Sequence, residues 1–85
     1  MTVFVRVFLK EGVLDPQGKA IHDALHRLGY GTVSDVRAGK IFRIEMETGD
    51  GAAALGAARK LADQLLANPV IDNFTVELAP AGAAR

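Results

Sequence analysis

From Thr2 to Lys10 apolar and polar positions alternate, with Val3, Val5, Val7 and Leu9 on one side and Phe4, Arg6, Phe8 and Lys10 on the other. A period of two predicts a strand with one buried face. The next stretch, Lys10-Glu-Gly-Val-Leu-Asp15-Pro16, reads as a loop and a helix start. Asp15 suits the N-cap because its carboxylate accepts from free N–H groups, and Pro16 suits the first helical position because its missing donor would have no partner there anyway. The spacing of Ala20, Ile21, Ala24, Leu25 and Leu28 predicts a helix over 16–28, closed by a left-handed Gly29.

Thr32 to Ala38 reads as a second, weaker strand, turning at Ala38-Gly39 or Gly39-Lys40 into a third over 40–48, where Phe42, Ile44 and Met46 oppose Arg43, Glu45 and Glu47. After Gly49-Asp50-Gly51 the stripe Ala54, Leu55, Ala58, Leu61, Ala62 and Leu65 predicts a second helix, which Asn68-Pro69 must end. Phe74, Val76 and Leu78 alternate with Thr75 and Glu77 in a last strand. The order is βαββαβ. Right-handed crossovers then give an α+β, ferredoxin-like sandwich, with a four-stranded antiparallel sheet and two helices on one face. One domain over 1–79 is expected, followed by a disordered tail, 80–85.

Ten Lys and Arg balance ten Asp and Glu, so no field gathers phosphates and a nucleic-acid role is disfavoured. The absence of Cys removes disulfides, thiolate nucleophiles and Cys-based metal sites. No apolar run approaches the roughly 20 residues of a membrane-spanning helix. Charges at Arg6, Lys10 and Glu11 come too early for a signal peptide's apolar region, so a cytoplasmic protein is expected.

Candidate chemistry is sparse. His22 and His26 stand four apart on the first helix, a shortened likeness of the H-E-x-x-H zinc motif. Asp23 replaces the longer Glu, no third ligand is evident, and both rings fall on a solvated flank, so no metal site is expected. The loop through Gly12, Asp15, Gly18 and Lys19 lacks the spacing of a P-loop. Gly18 nevertheless weakens a first helical turn by about 1 kcal/mol relative to Ala, which suggests a close approach by a partner or an anion. Ser34 is the only Ser and has no triad context, so no catalytic residue is assigned. Phe4 and Phe8 lie on the sheet face that helices leave open; with Arg6 and Lys10 they form a candidate interface. In a basic setting such aromatics would suit RNA stacking, but here the charges balance.

Three stretches are more specific than hydropathy requires: Lys10-Glu-Gly-Val-Leu-Asp-Pro-Gln-Gly-Lys-Ala20; Ala24-Leu-His-Arg-Leu-Gly-Tyr30 leading into Asp35-Val-Arg-Ala-Gly-Lys40; and Leu65-Leu-Ala-Asn-Pro-Val-Ile71. In these the chain resembles the PurS family, the small subunit of phosphoribosylformylglycinamidine synthase, over nearly all of residues 2–78. It departs from the family in the second helix, where Gly51-Ala-Ala-Ala-Leu-Gly-Ala-Ala58 replaces acidic residues that members often carry.

The resemblance implies a subunit of an ATP-dependent carbon–nitrogen ligase of de novo purine synthesis, with glutamine as the amide donor. It implies a large PurL synthetase that holds ATP, Mg and formylglycinamide ribonucleotide, and a PurQ glutaminase that releases ammonia. This chain would join the two as a dimer or dimer of dimers, supporting ammonia transfer, with no cofactor or catalytic residue of its own. The competing class is a dimeric ligand-sensing domain, which a small-molecule ligand would stabilise on its own.

Overall fold

A computed structural model describes residues 1–79; the expected tail, 80–85, lies outside the described residues. The elements are β1 (Thr2–Leu9), α1 (Pro16–Arg27), β2 (Gly39–Glu45), α2 (Gly51–Leu61) and β3 (Asp72–Leu78), with a π-helical turn, Ala62–Leu66, continuing α2. β1 lies between β2 and β3 and is antiparallel to both. Its alternation makes this possible: Val3, Val5 and Val7 point to one face and are buried. The register sets Val5 opposite Phe42 and Val76, so one apolar face spans all three strands. Ala54, Ala58 and Ala62 of the second helical segment close over it.

Asp50 caps α2 by accepting from Ala52 and Ala53. At its other end the Ala67 N–H donates to the Ala62 carbonyl five residues back (2.9 Å), the bond of a π turn. The chain then reverses through Asn68, whose carbonyl accepts from Ile71 and Asp72, and enters β3.

Among the described residues the sheet has three strands, which corrects the expected four. Thr32–Ala38 forms no strand and no hairpin, and Gly39 belongs to β2, paired with Phe8. The physical reason lies in α1 and its cap. The Val33 carbonyl is taken by His26 (2.7 Å), and the Ala38 N–H by the carboxylate of Asp15 (2.7 Å). Side chains therefore occupy backbone groups that a ladder would need.

The two helices also do not share the sheet face. α2 packs on β1 and β3, whereas α1 makes no extensive contact with the sheet or with α2. Its expected core residues stay open, Ile21 at 42% and Leu28 at 73% exposure. The molecule is consequently a slab, 48 × 32 × 14 Å, with a radius of gyration of 15.9 Å. A compact chain of this length has about 12 Å.

Candidate functional site

Asp15 organises the loop that the sequence singled out. It is buried at 7% exposure, where one carboxylate oxygen accepts from the Gly18 N–H (2.9 Å) and the other from the Ala38 N–H. These two backbone donors, the Gly18 bond first, hold its pKa below the usual carboxylate value; burial opposes them and Arg37 assists. Arg37 in turn donates to the carbonyls of Lys10 (3.4 Å) and Val13 (3.2 Å). One carboxylate and one guanidinium thus tie three segments together: the loop after β1, the start of α1 and the run before β2.

Gly18 is explained by that tie. A Cβ there would fall under 3 Å from the Val36 carbonyl oxygen and 2.6 Å from Oδ2 of Asp15. The close approach seen at residue 18 is made by the chain's own backbone, where a partner or an anion was expected. Gly12 has φ +85°, a conformation that favours glycine. Lys19 pairs with Asp23 (3.2 Å). Beside the loop lies a surface groove of about 430 Å³, lined among others by Gly12, Asp15, Lys19, His22, Asp35 and Arg37. It presents both signs of charge. One nitrogen of His22 bonds to Asp23 and one of His26 to the Val33 carbonyl, and Ser34 lies on the groove wall.

On the open face of the sheet the register places Phe4 between Arg43 and Glu77, and Phe8 between Gly39 and Asn73. Arg6 is ion-paired with Glu77 on the same face. Phe8 is 43% exposed, and part of its cover is Gly39: a Cβ there would lie 2.5 Å from the ring and 2.7 Å from the Val7 carbonyl. Lys10 has a local role, its ammonium donating to the Pro69 carbonyl (3.0 Å). Ile41, 61% exposed and paired with Arg6, joins this face and was missed; its neighbours in the β2 alternation are what could have revealed it. Among the described residues no three or more His, Asp or Glu gather into a metal set, and no helix is long and apolar enough to cross a membrane.

Buried ties around Asp15, together with apolar surface left open on both α1 and the sheet, define a small α+β module. A family model described as PurS, phosphoribosylformylglycinamidine (FGAM) synthase, matches residues 2–80. The PurS subunit of phosphoribosylformylglycinamidine synthase from Synechocystis is 43% identical over 74 residues, 87% of this chain and 74% of that one. That of Bacillus subtilis is 42% identical over 76 residues, 89% of each. Among solved structures, B. subtilis PurS aligns with a TM-score of 0.78 at 40% identity, covering 93% of this chain and 98% of that one. A structure of PurLQS from Thermotoga maritima aligns at 0.78 and 28% identity, covering 89% and 94%. The chain belongs to the PurS family, a subunit of FGAM synthase in purine biosynthesis. The ligand-sensing reading is not favoured.

Proposed function

We propose that this chain is the assembly subunit of an ATP- and glutamine-dependent FGAM synthase, joining a PurL synthetase to a PurQ glutaminase in the cytoplasm and helping to enclose the route of ammonia between them. The observation that carries this reading is its likeness, over nine-tenths of the chain, to a protein solved as part of PurLQS. The chemistry of the chain agrees. Asp15, the most buried charged group among the described residues, is engaged by backbone N–H groups. ATP and Mg are accordingly assigned to the large subunit, and catalytic roles are not assigned to this chain.

The chain acts as a homodimer or dimer of dimers. Ile21 and Leu28 on α1, and Phe8 and Ile41 on the sheet beside the half-buried Phe4, are apolar surfaces that a small domain does not usually leave to water. The loop Gly12 to Lys19, tied down through Asp15 and Arg37, offers a further surface for another subunit. The test is to mix the chain with cognate PurL and PurQ and to measure complex mass and glutamine-dependent FGAM formation with and without it. The expected result is assembly and activity only with the chain present. Full glutamine-dependent activity of PurL and PurQ alone, with the chain absent from the complex, refutes the proposal.

A further inference from the structure

His22 and His26 are left idle by the reading above, and the structure shows them in an arrangement that spacing alone does not give. Their rings lie 4.4 Å apart between centroids with planes tilted by 42°. Each ring has one nitrogen already committed. His22 Nδ1 is 3.2 Å from Oδ1 of Asp23, and His26 Nε2 is 2.7 Å from the Val33 carbonyl oxygen. Both partners only accept, so these nitrogens carry the hydrogens. In neutral rings the lone pairs are therefore on Nε2 of His22 and Nδ1 of His26.

These two bonds have the form of the outer hydrogen bonds made by ligating imidazoles. A ligating imidazole typically donates its second N–H to a carboxylate or a backbone carbonyl, which fixes the tautomer and raises the basicity of the ligating nitrogen. Here one ring has the carboxylate and the other the carbonyl. The Asp23 carboxylate is in turn paired with the Lys19 ammonium through its other oxygen (3.2 Å).

The ring separation also selects among metals. With metal–nitrogen bonds of about 2.0–2.1 Å, an imidazole centroid sits about 3.2 Å from the ion. Two such rings at a right angle about the ion would have centroids about 4.5 Å apart, and at the tetrahedral angle about 5.2 Å. The observed 4.4 Å matches the right angle. Right angles between neighbouring ligands belong to tetragonal and octahedral ions, copper(II) and nickel(II) above all, and not to tetrahedral zinc.

We propose that His22 and His26 form a two-imidazole chelate for a divalent ion of tetragonal preference, copper(II) or nickel(II), with water in the remaining positions. Asp23 and the Val33 carbonyl act as positioning groups that hold the lone-pair nitrogens ready. Among the described residues no third His, Asp or Glu joins them, so the site is exchangeable rather than structural.

The test is calorimetric titration of the whole chain with nickel(II) at neutral pH, with zinc(II) and magnesium(II) as comparisons, alongside copper(II) broadening of the imidazole NMR signals. One nickel ion per chain is expected, bound more tightly than zinc, with magnesium inert and with His22 and His26 the signals broadened most. His22→Ala and His26→Ala should each weaken nickel binding at least tenfold, and Asp23→Asn about tenfold. Equal nickel affinity in wild type and both His variants overturns the site, as does copper broadening centred elsewhere. Zinc binding tighter than nickel overturns the tetragonal geometry, and unchanged affinity in Asp23→Asn overturns the role of its carboxylate.

Discussion

Gly18→Ala puts the reading of the α1 start to a quantitative test. In an ordinary helix the change gains about 0.5–1 kcal/mol, because Ala has less backbone freedom to lose. At residue 18 the new methyl meets the Val36 carbonyl oxygen and the Asp15 carboxylate at separations no real side chain tolerates. Neither neighbour yields freely. The Val36 segment is pinned by the Ala38–Asp15 bond and by Arg37 on two carbonyls, so moving it breaks the tie among three segments. Overpacking of this kind costs about 1–3 kcal/mol. The net expectation is destabilisation by about 1–2 kcal/mol, lowering the Tm by roughly 5–15 °C for a domain of this size. Gly56 on α2 is the internal control, since nothing lies within 4 Å of the position its Cβ would take. Gly56→Ala should raise the Tm. Both variants are compared by circular dichroism melts at one protein concentration, because assembly itself raises the Tm. A higher Tm for Gly18→Ala would show that the run before β2 is not docked on α1, and the tie would fall with it.

Val5→Ala removes two methyl groups from a side chain with no exposure and should lower stability by about 1.5–3 kcal/mol, seen as a lower urea midpoint with unchanged slope; a loss below about 0.5 kcal/mol would mean the apolar sheet face is not closed in solution. Acid should loosen the α1 start through Asp15. Its folded pKa lies below the unfolded value of about 3.9, so its contribution is complete above that value and is lost as pH falls through the folded pKa. The Tm gap between wild type and Asp15→Asn should therefore be full near neutral pH and shrink below about pH 4; a gap that is constant down to pH 3 contradicts the ionised cap.

Local chemistry was legible in the chain. The alternation Val3, Val5, Val7 gave β1 and its buried face, Asp15-Pro16 gave the start of α1, and Gly29, with φ +99°, its end. What failed was non-local. Thr32 to Ala38 looks like a strand from its own residues, but strands need partner backbone, and His26 and Asp15, distant in sequence, take those groups instead. The stripe Ile21, Leu25, Leu28 correctly showed that α1 is amphipathic, but an amphipathic stripe does not name what covers it, and here the chain's own sheet does not. At the candidate site the need for glycine at 18 was visible while the identity of the intruder was not, because Val36 approaches from 18 residues away. Phe8 does stand on the open face, 43% exposed; only its packing over Gly39 was not legible, because Gly39 reads as a turn residue and pairs instead within β2.

Ala54, Ala58 and Ala62 stand in one row along the helix, each wholly inaccessible, against the valines of β1. Methyl groups thus set the gap between the layers, and on the helix side that gap has almost no volume left to lose. Evolutionary drift at these positions runs one way: nearly every replacement adds atoms and wedges the helix off the sheet. A larger residue becomes tolerable only when a facing valine shrinks, so in any library selected for folding the two rows should vary as volume-conserving partners, with the tightest constraint on the smallest side chains.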